Sequence, residues 1–250
     1  MHVLKIGGNE LSDPTFLATL AQTVAAADEP TVIVHGGGKA IADLQAKLGL
    51  ATVKVDGLRV TNHDSLTVAE MVLSAKANKL IVKALIAAGI DAIGLSGVDG
   101  GLLKCKKKQH PTADLGFVGE VVEVRTDLIQ QLMDNGMTVV LSPISLGLDG
   151  YTYNINADEA ASAVALALNA DLLSFLSNVP GVIANDSVIP KLTLPETELL
   201  IESGVINGGM VPKVRSALDA VDQGLKQARI VNLAGLQAMG GTIFSGMRME

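Results

Sequence analysis

Near its start the chain twice runs from an apolar stretch into consecutive glycines and then into a helical pattern. Val3–Ile6 leads to Gly7-Gly8, and Thr31–His35 leads to Gly36-Gly37-Gly38. Helices are expected over 14–27 and 39–48. A strand–helix–strand unit of this length requires parallel pairing and a right-handed crossover. Both glycine bends then lie side by side at the carboxyl edge of one sheet, where open α/β sheets take up ligands. Thr31–His35 is apolar without alternation, as expected of a strand covered on both faces.

The same rhythm continues downstream. A long helix is expected over 64–88, with Met71, Val72, Ala75, Val82, Leu85 and Ile86 on its apolar face and Gly89 as its stop. A strand over 92–96 follows. Between 102 and 124 short charged or alternating runs suggest a hairpin over the main sheet. Lys104, Lys106, Lys107 and Lys108 read there as a solvated edge that blocks strand pairing. Docking of an acidic partner is the alternative. Helices over 126–135 and 157–169 alternate with strands over 138–142 and 151–155. A second set follows: strand 172–176, a turn at Asn178–Gly181, helix 195–203, a Gly208-Gly209 turn, helix 212–224 opened by Pro212, strand 228–233 and strand 242–244. The expectation is an α/β fold in which one mainly parallel sheet runs through two lobes, 1–170 and 171–250.

Composition narrows the function classes. Apolar residues make up 48% and charged residues 18%, enough for a large core; aromatics are 2%, so that core is aliphatic. A net charge of −7 argues against nucleic acid as the main partner. Cys105 is the only cysteine, which excludes an intrachain disulfide and a cysteine zinc site and fits a reducing, cytoplasmic setting. Gly7-Gly8 interrupts any signal-peptide core. The apolar run over 160–168 is far short of the roughly 20 residues of a membrane span.

Five constellations could carry chemistry. Lys5-Ile6-Gly7-Gly8 and His35-Gly36-Gly37-Gly38-Lys39 offer backbone amides that an anion can approach without meeting a Cβ. Neither is a Walker A loop or a dinucleotide fingerprint. The second matches the oxyanion loop of esterases, but Gly94-Leu95-Ser96-Gly97-Val98 fails as a nucleophile elbow and no histidine follows His110. Arg59 in Gly57-Leu58-Arg59-Val60-Thr61 can grip a carboxylate with paired N–H donors. In Asn154-Ile155-Asn156-Ala157-Asp158, Asn156 or Asp158 can cap a helix, which leaves two polar side chains unexplained. Lys213, after Gly208-Gly209 and Pro212, sits in a first helical turn, where the dipole disfavours a cation unless an anion is near.

These motifs, with Asp114-Leu115-Gly116-Phe117-Val118-Gly119 and Asn178-Val179-Pro180-Gly181-Val182, occur in one order along the chain. Together they resemble the amino-acid kinase family, in its branch that phosphorylates N-acetyl-L-glutamate. The resemblance implies a three-layer αβα sandwich with an amino-acid-binding, dimerising lobe over 1–170 and an ATP-binding lobe over 171–250. It implies transfer of the γ-phosphoryl group of ATP to the substrate's side-chain carboxylate, in arginine biosynthesis. Lys5 and Lys213 would neutralise the moving group, and Asp158 would pair with both. Gly7, Gly8, Gly36 and Gly37 would donate N–H groups; Arg59 and Asn154 would bind the substrate. Ser177, Asn178 and Gly209 would face ATP, and Mg²⁺ would be held mainly by ATP. A carrier-protein-linked aminoadipate or glutamate kinase and a non-catalytic sensor are the alternatives on the same fold.

The chain departs from the family pattern at Asn178, where Asp is usual, and at Lys39, where Pro is common. Arginine-inhibited relatives carry a helix before the first strand. The expectation here is an arginine-insensitive homodimer with the 64–88 helix at its interface, no nucleic acid and no membrane.

Overall fold

The computed structural model describes residues 1–27 and 29–246. In chain order the elements are β1 (His2–Ile6), α1 (Pro14–Ala26), β2 (Thr31–His35), α2 (Gly38–Lys47), β3 (Lys54–Val55), β4 (Leu58–Arg59) and α3 (His63–Glu70). A π-helical segment, Met71–Ala77, joins α3 to α4 (Asn78–Ala87). Then come β5 (Ala92–Ser96), β6 (Leu103–Lys107), β7 (Gly119–Val124), α5 (Thr126–Asp134), β8 (Thr138–Ser142), β9 (Ile144–Gly147), β10 (Thr152–Asn154) and α6 (Ala157–Ala167). The remainder comprises β11 (Leu172–Leu176), β12 (Ile183–Ala184), β13 (Ser187–Val188), β14 (Lys191–Leu192), α7 (Leu194–Glu202), α8 (Met210–Asp222), β15 (Ala228–Val231), α9 (Leu233–Gln237) and β16 (Thr242–Phe244).

The main sheet has eight strands in the order β14-β16-β15-β11-β1-β2-β8-β5. Every pair is parallel except β15 with β16. It runs unbroken across residue 170, because β11 pairs with β1 along its whole length, Lys5 opposite Phe175 and Ile6 opposite Leu176. Side chains alternate across the pleat. Val3, Val32, Val34, Leu173, Phe175 and Ile230 pack with α6 and α8 on one face. Leu4, Ile6, Ile33, Leu176 and Val231 pack with α1 and α4 on the other. Lys5 therefore shares a side with Val3, toward α6. His35 shares a side with Ile33, toward α4.

Local chemistry sets the helix starts. Asp13 accepts the Thr15 amide at 2.9 Å ahead of Pro14, and Asn156 accepts the Asp158 amide at 2.8 Å ahead of α6. Asn156 is thus the cap, and Asp158 is free for other work.

Several expectations need correction. The 64–88 helix forms, but its middle is π-helical, so α3 packs toward α2 while α4 packs toward α1, β5 and β8. The hairpin β6–β7 forms, yet β6 is no edge strand: it lies between β7 and β9 in a second, four-stranded sheet. Cys105 points inward, fully buried. The four lysines around it each meet a carboxylate: Lys104 with Glu123, Lys106 with Glu120, Lys107 with Asp114, and Lys108 with Glu159. Pro212 is not the first residue of α8, which opens two residues earlier at Met210. Leu233 starts α9 rather than ending a strand, because Asn232 accepts the Gly235 amide and caps it.

Candidate active site

Both glycine bends leave the carboxyl ends of adjacent strands, and the fold presses them together. A Cβ on Gly8 would stand 2.4 Å from the Gly37 Cα and 2.6 Å from its nitrogen. A Cβ on Gly37 would stand 2.7 Å from Leu73 of the π-helical segment. Gly8 is therefore required by backbone contact, whereas at Gly37 only the end of the Leu73 side chain would have to give way. Gly7 and Gly36 are different, since their added Cβ atoms would lie no closer than 3.4 Å and 3.6 Å to any neighbour.

The amides divide in the same way. Among the described residues, the N–H groups of Gly7, Gly8 and Gly37 meet no hydrogen-bond acceptor. The Gly36 N–H donates to the Ile6 carbonyl at 2.9 Å, extending the β1–β2 ladder. The expectation that Gly36 donates to a ligand is corrected: its amide is already used, and it contributes only a wall of the cleft.

Lys5 reaches Asp158 in the first turn of α6, Nζ to Oδ1 2.7 Å, with both side chains largely buried. The helix N-terminus favours the carboxylate there, and the carboxylate in turn holds the ammonium at the strand ends. Asp158 was expected to pair with Lys213 as well. Instead Lys213 donates to Ser177 Oγ at 2.9 Å. Ser177 is the residue just past β11, and the position where an added Gly7 Cβ would point lies 3.9 Å from the Leu176 carbonyl. Lys213 thus approaches from the β11 side of the same strand ends that Lys5 flanks from β1. Ser177 also donates to Asn178 Oδ1 at 3.3 Å. Gly209 caps α8 with open space around it, so nothing steric requires glycine there.

On the other side of the bends is a cleft of about 180 Å³ lined by Gly36, Gly37, Arg59, Asn154 and the start of α6. Arg59 is clamped: Nη1 donates to Gln45 Oε1 at 2.5 Å, and Nη2 to the Gly38 carbonyl at 2.9 Å. Burial lowers its pKa from the ordinary arginine value. Asn154 Nδ2 donates to Thr61 Oγ1 at 3.4 Å. Gln45 is the partner that sequence reading missed; its position inside α2 carries no motif, and only packing brings it under Arg59.

Among the described residues, no three His, Cys, Asp or Glu side chains lie together as a metal site. No helix among them is long and apolar enough to cross a membrane.

Free strand-end amides, one lysine on each side and a clamped arginine thus gather N–H donors and positive charge at one sheet edge of an α/β fold. The chain belongs to the amino acid kinase family, which it matches over residues 1–232. It is 51% identical over 243 residues to a protein named acetylglutamate kinase from Roseiflexus castenholzii, spanning 97% of this chain and 93% of the other. A protein of the same name from Chloroflexus aurantiacus is 48% identical over 246 residues, spanning 98% and 96%. A solved structure of a Streptococcus mutans UA159 protein superposes with a TM-score of 0.82 at 31% identity, covering 98% of both chains.

Proposed function

We propose that the protein transfers the γ-phosphoryl group of ATP to the side-chain carboxylate of N-acetyl-L-glutamate, giving an acyl phosphate and ADP within arginine biosynthesis. The observation that carries this reading is the contact between the Gly8 and Gly37 backbones, with Lys5 beside one bend and the Arg59 cleft beside the other. Relatives of about half identity that bear the name acetylglutamate kinase support the choice of substrate.

The nucleophile is already a carboxylate, so no general base is needed. The barrier is electrostatic: negative charge spreads over the transferring group and the leaving ADP. Lys5, steadied by Asp158, and Lys213, steadied by Ser177, supply fixed positive charge. The amides of Gly7, Gly8 and Gly37 supply fixed donors. Arg59 and Asn154 hold the substrate in the cleft, within residues 1–170. Ser177, Asn178 and Gly209 lie on the nucleotide side, within 171–250. Mg²⁺ would be held mainly by ATP phosphates and water rather than by this chain, and would supply charge neutralisation there. The enzyme works in the cytoplasm as a homodimer joined through the helical stretch from α3 to α4, whose exposed Met71 and Ile86 suit an interface.

Hydroxylamine trapping tests the reaction. Folded protein with ATP, Mg²⁺ and N-acetyl-L-glutamate is expected to yield the hydroxamate, with free glutamate a poor substitute. No trapped product would remove the kinase reading. Light scattering of the purified protein tests the dimer.

A further inference from the structure

We propose that Asn78 is a positioning residue: from the helical layer behind the sheet it fixes the tautomer of His35, and through His35 the orientation of the Gly36–Gly37 peptide. The inference rests on the phosphoryl-transfer reading above, in which the Gly37 N–H faces the transferred group.

Asn78 and His35 are both fully buried. The Asn78 amide nitrogen lies 3.0 Å from the Val140 carbonyl and 3.3 Å from the Leu95 carbonyl. Carbonyls only accept, so that atom must be the NH₂ group and the amide cannot be reversed. Its oxygen in turn accepts from Lys79 Nζ at 3.1 Å, and Lys79 also binds the Gly94 carbonyl at 2.7 Å. The same NH₂ group sits 3.3 Å from His35 Nε2. That group has two hydrogens for three acceptors, so one is shared; a protonated Nε2 would set donor against donor, so Nε2 carries the lone pair and the ring proton is on Nδ1. Nδ1 lies 3.1 Å from the Gly36 carbonyl, which accepts it. The opposite tautomer would set two donors against each other at Nε2 and two lone pairs against each other at Gly36.

Burial holds the ring neutral, its pKa pushed down to about 4 despite the Gly36 bond. In a trans peptide the carbonyl of one residue and the N–H of the next point in opposite directions. Anchoring the Gly36 oxygen on His35 therefore turns the Gly37 N–H away from that anchor. The space for this relay is reserved in β5, where a Cβ on Gly94 would stand 1.9 Å from Asn78 Oδ1.

A purely structural Asn78 would satisfy two strand carbonyls and nothing more. Nitrogen-15 spectra of the histidine rings in the full chain separate the two roles. At pH 7.5 His35 is expected to show a protonated Nδ1 and a bare Nε2, and Asn78→Leu is expected to lose that state. The same variant is expected to lower kcat about 10–100-fold, with KM for both substrates kept within about twofold. Should Asn78→Leu not fold, a pair at His35 gives the same answer. His35→Asn, whose amide can replace Nδ1 as donor to Gly36, should retain most of the turnover that His35→Ala loses. A protonated Nε2 in the wild type, unchanged kcat in Asn78→Leu, or equal kcat in the two His35 variants would overturn the inference. A wild-type Nδ1–H spectrum without hydroxamate product counts against the kinase reading alone; Nε2–H with full activity counts against the relay alone.

Discussion

Lys213 and Arg59 are both cations at the site, but they are held in different ways, and that predicts different kinetics. Among the described residues Lys213 meets a single, neutral partner, Ser177, so its charge is available to a developing anion. Lys213→Ala is expected to reduce kcat by ~10²–10³, with an unchanged thermal midpoint, as measured by steady-state turnover and calorimetry. Arg59 is fixed by Gln45 and the Gly38 carbonyl at the rim of the substrate cleft. Arg59→Ala is expected to raise KM for acetylglutamate while leaving kcat nearly intact, because it removes ground-state and transition-state binding alike. A drop in kcat at constant KM would show that Arg59 acts on the moving phosphoryl group instead. The glycines differ on steric grounds. Gly8→Ala must push its methyl into the Gly37 backbone, whereas Gly36→Ala finds 3.6 Å of clearance. Gly8→Ala should abolish hydroxamate formation, and Gly36→Ala should retain most of it.

At the scale of elements, the start of α6 was legible from its capping asparagine, and the structure adds other starts set by a side chain. Asp13 with Pro14 marks α1, and Asn156 marks α6. Thr193 and Glu196 form a reciprocal capping box at α7, in which Glu196 accepts the Thr193 amide at 2.8 Å. Thr193→Ala should cost about 0.5–2 kcal/mol in urea unfolding, with turnover per folded molecule unchanged. The π-helical turn was not legible. Its residues carry good helical periodicity, and the partners it meets lie elsewhere in the chain: Leu73 lies over Gly37, and the Ser74 and Ser142 hydroxyls are 2.9 Å apart. The lysine run misled for a related reason. Charge spacing places Lys104 and Lys106 on one face of a strand, but whether that strand is an edge depends on β9, a short segment from elsewhere in the chain.

At the scale of the molecule, the two faces of the sheet divide the labour. Lys5, Ser177 and Lys213 belong to the face covered by α6 and α8; His35 belongs to the face covered by α4. Two buried histidines tie stability to pH. Burial, the nearby Arg229 and the N-terminal ammonium push His2 down to about 4, and burial brings His35 to about 4, from 6.5. The unfolded chain therefore takes up protons near pH 6.5 that the folded protein refuses until near pH 4. Stability is full above 6.5 and is lost as pH falls through that window, by at most about 1.4 kcal/mol per pH unit for each histidine. Thermal midpoints should fall between pH 7 and 5, and His35→Asn should remove about half of the slope.

The order of strands and helices, the parallel pairing of β1 with β2, and the meeting of two glycine bends at one sheet edge follow from apolar periodicity and from glycine's missing side chain. Both are local properties that the residues carry with them. Alternation along β1 even assigns Lys5 to the side opposite Leu4 and Ile6. Which partner each lysine takes, that the Gly36 amide is consumed by Ile6, that Gln45 underlies Arg59 and that Asn78 reaches His35 depend on contacts between residues distant in the chain. Only close packing of separate elements sets those distances, and a hydrogen bond exists or fails within a few tenths of an ångström.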